Sequence, residues 1–114
     1  MKTYEDLVQK YGLKPYCYSG VDEGWIPLLD KLISDLLKEN PNWDIKNVAQ
    51  IKEKFGGLRF YVDEVSENQY KLIEKAEAES YKICEHCGST ENVETKGKSW
   101  IKSLCEKCRG KDKK

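Results

Sequence analysis

Apolar residues recur along this chain with two different periods, and the change from one to the other divides it into elements. Trp25, Leu28, Leu29, Leu32, Ile33, Leu36 and Leu37 recur in the i, i+3, i+4, i+7 pattern, the mark of a helix with a wide apolar stripe. Pro27 falls in its first turn, where a missing N–H costs nothing. Asn40–Pro41 closes it, because the residue before a proline avoids the helical region. This helix is expected to form the centre of the core. A shorter helix is predicted over residues 3–11, with Tyr4, Leu7, Val8 and Tyr11 on one face and Gly12 as its terminating residue, since glycine reaches positive φ cheaply. A third opens at Ser66, which with Gln69 forms a capping box. It runs to about Ile83, with Ile73, Ala76, Ser80 and Ile83 inward and Glu67, Glu74, Glu77 and Glu79 on a solvated outer face.

Between the second and third helices the pattern changes to alternation. Residues 45–54, then Gly56–Gly57, then "LRFYVD" predict a hairpin with its two-residue turn on the paired glycines. That turn sets Phe55 opposite Leu58, Lys54 opposite Arg59, Lys52 opposite Tyr61 and Ile51 opposite Val62. One face is then Ala49, Ile51, Phe55, Leu58, Phe60 and Val62, with Glu53 intruding, and is suited to cover the leucine stripe. The other face carries Lys52, Lys54, Arg59 and Tyr61. Lys54 across from Arg59 is unfavourable, since like charges on a cross-strand pair repel. A carboxylate from elsewhere in the fold, Glu53 or Asp63, would cure the conflict. So would the phosphate of a bound ligand, with Tyr61 flanking its ring. The fold class is α+β: a small core of helices and hairpin over residues 1–83, followed by a distinct element over residues 84–114.

That last element has few large apolar side chains and two C-x₂-C pairs, Cys84/Cys87 and Cys105/Cys108, separated by seventeen residues. Each pair can bite one ion from a tight turn, and two pairs close a tetrahedron. Gly88 and Gly110 suit knuckle turns after each pair, and Gly97 marks the tip of an intervening hairpin. The expected cofactor is zinc in a zinc-ribbon-like element. Iron in four thiolates has the same geometry, while a dithiol redox pair lacks its usual βαβ setting. Four thiolates saturate zinc, so such a site is structural and supplies folding free energy to a segment without a core of its own. His86 lies inside the first pair, which already has its two ligands. Cys17 stands alone in a tyrosine-rich loop and reads as a buried or idle thiol.

Charge narrows the choice of partner. The chain has 114 residues, 35% of them charged, and a formal net charge of zero. A long polyanion needs many Lys/Arg–phosphate contacts, so whole-surface nucleic-acid binding is disfavoured, whereas a small anion needs only a few cations. No stretch reads as a signal peptide or membrane span. An intracellular, cytoplasmic setting is expected, where thiols serve as metal ligands more readily than as disulfides.

Gly24–Trp25, the leucines of "LLDKL" (Leu28–Leu32), "QIKEKFGGLRFY" (Gln50–Tyr61) and the terminal cysteine pairs together resemble a family of small phage and bacterial proteins. Its members join a GW-plus-leucine helix to a similar hairpin and a cysteine-rich tail. The resemblance covers most of residues 24–108 and is most specific in the hairpin. It implies a phage or mobile-element setting and a bacterial host, and it brings no established activity. Small phage proteins that are not structural often act against host defence, some by sequestering nucleotide immune signals and others by blocking host enzymes.

Three readings of function follow. An enzyme is disfavoured: His86, the sole histidine, sits in the metal knuckle, and there is no P-loop, no G-x-G-x-x-G after a strand and no HExxH. The leading expectation is a non-enzymatic binder of a small anionic, nucleotide-like ligand. Lys52, Lys54 and Arg59 would hold its phosphate, and Tyr61, Trp25 or the Tyr16–Tyr18 loop would stack on its ring. The second is a nucleic-acid-binding zinc ribbon, because residues 95–114 carry eight Lys/Arg against Glu106 and Asp112, with Trp100 among them. The third is a module that binds a host protein, for which tyrosines are favoured surface residues. A homo-oligomer is compatible with each.

Overall fold

The structure, a computed structural model, describes residues 3–19, 21–97 and 101–112, the last three of these as backbone. Helix α1 (Tyr4–Tyr11) begins at Thr3, whose hydroxyl accepts the Asp6 N–H while the Asp6 carboxylate accepts the Thr3 N–H; Gly12 ends it at φ 77°. Helix α2 (Ile26–Glu39) follows a 3₁₀ turn over Glu23–Trp25 and stops at Asn40. Of the expected stripe Leu29, Ile33 and Leu36 are fully enclosed and Leu37 is only partly buried, while Ile26, outside that stripe, is enclosed as well, each enclosed side chain contributing roughly 1.5–3 kcal/mol of transfer free energy. Helix α3 (Glu67–Ser80) opens on the predicted capping box. Its Gln69 is fully buried and serves two helices: Oε1 accepts the Ser66 N–H, and Nε2 donates to the Leu36 carbonyl near the end of α2.

The sheet has three strands in the order β1 (Tyr18–Ser19), β2 (Val48–Lys54), β3 (Gly57–Val62), parallel for the first pair and antiparallel for the second. The apolar face of the hairpin (Val48, Ile51, Leu58, Phe60) joins Leu7, the α2 stripe, Ile73 and Ala76 in one core. The hairpin register differs from the expected one. The two turn residues are Phe55 and Gly56, at φ 54° and 83°, the signature of a type I′ turn. Lys54 therefore pairs with Gly57, Glu53 with Leu58 and Lys52 with Arg59. Two contacts favour this turn over one on the glycine pair. Glu53 accepts the Gly56 N–H at 2.7 Å, so the residue that seemed to intrude on the core face caps the turn. Gly57 is needed in the strand, because a Cβ there would overlap the Tyr81 ring. The move slides the turn by one residue and leaves each strand's inward and outward sides unchanged. Phe55, expected inward, is exposed at the turn. A bulge between Val48 and Gln50 buries Val48 and turns Ala49 outward.

The edge of β3 is closed by α3. Ser80 Oγ accepts the Leu58 N–H and a Glu77 carboxylate oxygen accepts the Phe60 N–H, both at 2.9 Å. Glu77 is half-buried by this duty and not simply solvated. The cysteine-rich element follows as a small hairpin of β4 (Glu94–Lys96) and β5 (Lys102–Leu104), then helix α4 (Glu106–Asp112). The polar run from Arg109 is thus helical as far as Asp112. No helix among the described residues is long and apolar enough to cross a membrane.

Candidate metal centre and hairpin face

Residues 84–108 bring four sulfurs together. The Sγ atoms of Cys84, Cys87, Cys105 and Cys108 all lie within 4.8 Å of one another, and Cys87 and Cys105 are 3.7 Å apart. A tetrahedral ion with 2.3 Å metal–sulfur bonds sets neighbouring sulfurs about 3.8 Å apart, so the four cysteines fit one metal ion. The first pair sits in a knuckle. The Gly88 N–H returns to the Cys84 carbonyl at 2.9 Å with Gly88 at φ 84°, and the Cys84 N–H reaches the Ser89 carbonyl. The second pair is not a second knuckle. Cys105 precedes α4 and Cys108 lies in its first turn, where a spacing of three places both on one side of the helix. Gly110 is therefore a helix residue.

The local fields favour thiolates unequally. Burial works against charge on Cys84, but the backbone N–H groups of Cys105, Cys87 and His86 aimed at its sulfur outweigh that and pull its pKa down. The Cys108 N–H, aimed at the Cys105 sulfur, does the same there, to about 7. His86 is exposed, with Nδ1 against the Asp22 carboxylate at 2.8 Å, and stands outside the four-sulfur set. Cys17 is buried in the main core, bonded to the Lys14 carbonyl and the Tyr4 hydroxyl.

The cysteine-rich element and the turn before it are seated on the core by hydrogen bonds to backbone carbonyls. The Gly24 N–H donates to the Glu85 carbonyl at 2.8 Å, the Trp25 indole N–H donates to the Ile83 carbonyl at 3.0 Å, and Ser103 Oγ donates to the Gly56 carbonyl at 2.6 Å. A Cβ on Gly24 would overlap the Cys84 carbonyl oxygen, and one on Gly56 would come within 2.7 Å of Thr95 Cγ2. Gly24 of "GW" and Gly56, the first glycine of "KFGG", thus admit the close approach of the cysteine-rich element. Glu85 lies under the first knuckle with its carboxylate on the Ser103 N–H, and burial pushes its pKa up to about 7. Arg109 ties α4 to the small hairpin through the carbonyls of Leu104 and Asn92 and the carboxylate of Glu94. Sequence reasoning missed Glu85, Ser103 and Arg109, since single polar residues carry no periodic signal.

Lys52, Lys54, Arg59 and Tyr61 do share the outward face of the hairpin. The like-charge pair on that face is Lys52–Arg59, not Lys54–Arg59. Lys52 Nζ sits 5.6 Å from the centre of the Tyr61 ring, and Arg59 donates to the Tyr81 hydroxyl and the Leu58 carbonyl. No carboxylate among the described residues comes within ion-pair distance of Lys52, Lys54 or Arg59. Trp25, expected as a stacking group, is fully buried with its N–H committed, and belongs to the core. Tyr18 is stacked on Tyr4 with ring centres 4.2 Å apart, while Tyr16 is exposed. Beside the face, between β3 and α3, lies a groove of about 240 Å³. Arg59, Tyr61, Tyr70 and Glu77 supply its polar groups, and Val65 and Ile73 part of its apolar lining. Tyr70 was not singled out from the sequence, because on a helix an isolated aromatic beside charged neighbours reads as solvated. Trp100, on which the nucleic-acid reading leans, lies outside the described residues. Comparisons with family models, curated proteins and solved structures found no match.

Proposed function

We propose that this is a zinc-stapled, non-enzymatic binding protein whose outward hairpin face holds a small anionic, nucleotide-like ligand. The observation that carries the reading is the opposed pair Lys52–Arg59 on the outward face, with no carboxylate among the described residues within ion-pair distance of either cation. Glu53, one internal cure for such a conflict, is committed to the Gly56 N–H. A phosphate seated between the two cations would relieve their repulsion and form charge-assisted hydrogen bonds, worth roughly 1.5–3 kcal/mol each. Tyr61, exposed and adjacent, offers a ring face. In a phage setting such a protein would act by sequestering a nucleotide signal of the host rather than by turning it over.

The four thiolates are assigned to zinc as a structural ion. Elemental analysis of the purified protein is expected to give one zinc per chain, and a visible thiolate-to-iron absorption would overturn that assignment. The ligand reading is tested by calorimetry and thermal shift with mononucleotides, cyclic nucleotides and inorganic phosphate. Binding is expected to weaken about tenfold or more in Lys52→Gln and in Arg59→Gln, and to fall with added salt. If no phosphate compound moves either the melting temperature or the NMR resonances of the hairpin, the reading is wrong.

A further inference from the structure

The groove between β3 and α3 adjoins the cationic face and shares Arg59 and Tyr61 with it. Its chemistry is mixed. Two phenol rings, Tyr61 and Tyr70, are 43% and 55% exposed, so their faces are available to a planar ring. Val65 and Ile73 give an apolar lining. One carboxylate, Glu77, lies among them, and among the described residues it makes a single hydrogen bond, from the Phe60 N–H to Oε2. Its other oxygen has acceptor capacity to spare. Burial raises the pKa of this carboxyl, and the Phe60 N–H and the nearby Arg59 only partly offset that. A donor presented to it by a ligand would satisfy a partly desolvated acceptor, which is where a hydrogen bond discriminates most strongly.

Size and backbone satisfaction choose the kind of occupant. At about 240 Å³ the groove falls below the roughly 300–1,000 Å³ of drug-sized pockets, which suits one ring system with its remainder lying outside. An added peptide strand would need free N–H groups on the β3 edge, and those of Leu58 and Phe60 are already taken by α3.

We infer that this groove reads the base of the ligand: a planar nitrogen heterocycle with N–H donors along one edge, guanine being the natural base with an adjacent pair of them, and the phosphate lying on Lys52 and Arg59. This inference rests on the anionic-ligand reading and adds to it a base preference and a residue that enforces it. Glu77 is the specificity-determining group, Tyr61 and Tyr70 are the stacking walls, and Arg59 joins the two halves of the site.

The test is a comparison of GMP, IMP, AMP and inorganic phosphate by calorimetry on the full chain, wild type against Glu77→Gln and Tyr70→Ala. IMP lacks the exocyclic amino group of GMP and isolates its contribution. The glutamine can still accept the Phe60 N–H through its amide oxygen, so the edge of β3 keeps its cap and the fold is retained. Tyr70 is exposed and dispensable to the core. GMP is expected to bind at least tenfold more tightly than AMP, with IMP between them. Glu77→Gln is expected to reduce the GMP-over-AMP ratio about tenfold while leaving phosphate binding unchanged, and Tyr70→Ala is expected to weaken all nucleotides alike. Nucleotide binding without base preference, or a preference that survives Glu77→Gln, overturns the base-reading role while leaving the phosphate site standing. Absence of binding by all four compounds overturns both.

Discussion

Gly24→Ala isolates the coupling between the metal element and the core. Gly24 does not have positive φ, so alanine is acceptable to the backbone there and any cost comes from contact. The added methyl would lie within 2.5 Å of the Glu85 carbonyl carbon and closer still to the Cys84 oxygen. These are backbone atoms of the first knuckle and cannot swing aside. Moving them breaks the 2.8 Å bond from Gly24 to Glu85 and disturbs the Cys84 carbonyl that holds Gly88. The lost hydrogen bond costs about 1 kcal/mol and the overpacking about 1–3 kcal/mol. The total is ~3 kcal/mol, a large part of the roughly 5–15 kcal/mol available to a domain. Without metal the knuckle is held by its backbone hydrogen bonds alone and can give way, so the same methyl is expected to cost under about 1 kcal/mol. By linkage the difference must reappear as metal affinity weakened by ~30-fold or more, at 1.4 kcal/mol per factor of ten. Urea denaturation with metal and after chelation, together with a competition titration of zinc, measures both sides of this cycle. Equal destabilisation with and without metal, or unchanged zinc affinity, would refute the docking role of Gly24.

Two further outcomes follow from single contacts. Gln69→Leu keeps the buried volume but strips two partners at once, from the Ser66 N–H and the Leu36 carbonyl, so a loss of about 2–4 kcal/mol is expected in urea melts; a loss below 1 kcal/mol would show that both groups find other partners. Asp30 is held below its ordinary carboxyl pKa first by the hydrogen bond from Tyr11; burial comes next and opposes it, and Lys10 adds to the lowering. A lowered folded-state pKa means stability that is present above the unfolded pKa of 3.8 and is lost as pH falls through the folded value. Tyr11→Phe should therefore raise the Asp30 pKa and flatten the acid limb of the stability curve, and a carboxyl NMR titration in which Asp30 is unmoved would contradict this.

Much of the molecule was legible in the order of residues. The α2 stripe, the capping box at Ser66–Gln69, the stop at Gly12 and each of the two C-x₂-C pairs depend on spacings within one short segment, and local sterics and hydrogen bonding decide such features before any tertiary contact forms. The two faces of the hairpin were legible for the same reason, since strand alternation survives a turn that slides by one residue. What the sequence could not determine is which residues make that turn. Tertiary contact decided it: Tyr81 over Gly57, and Thr95 and Ser103 against Gly56, leave Phe55 to take positive φ. The same holds for Trp25, whose aromatic ring suggested a ligand until packing enclosed it, and for Glu77, whose burial depends on where α3 lies along β3. Periodicity reports on neighbours along the chain, whereas close approach between distant segments is set by how whole elements pack. The chain by itself therefore determined α1 to α3, the hairpin and the four-cysteine set, and only the packed structure decided which glycines are docking points, which described cations lack a carboxylate at ion-pair distance and where a groove opens.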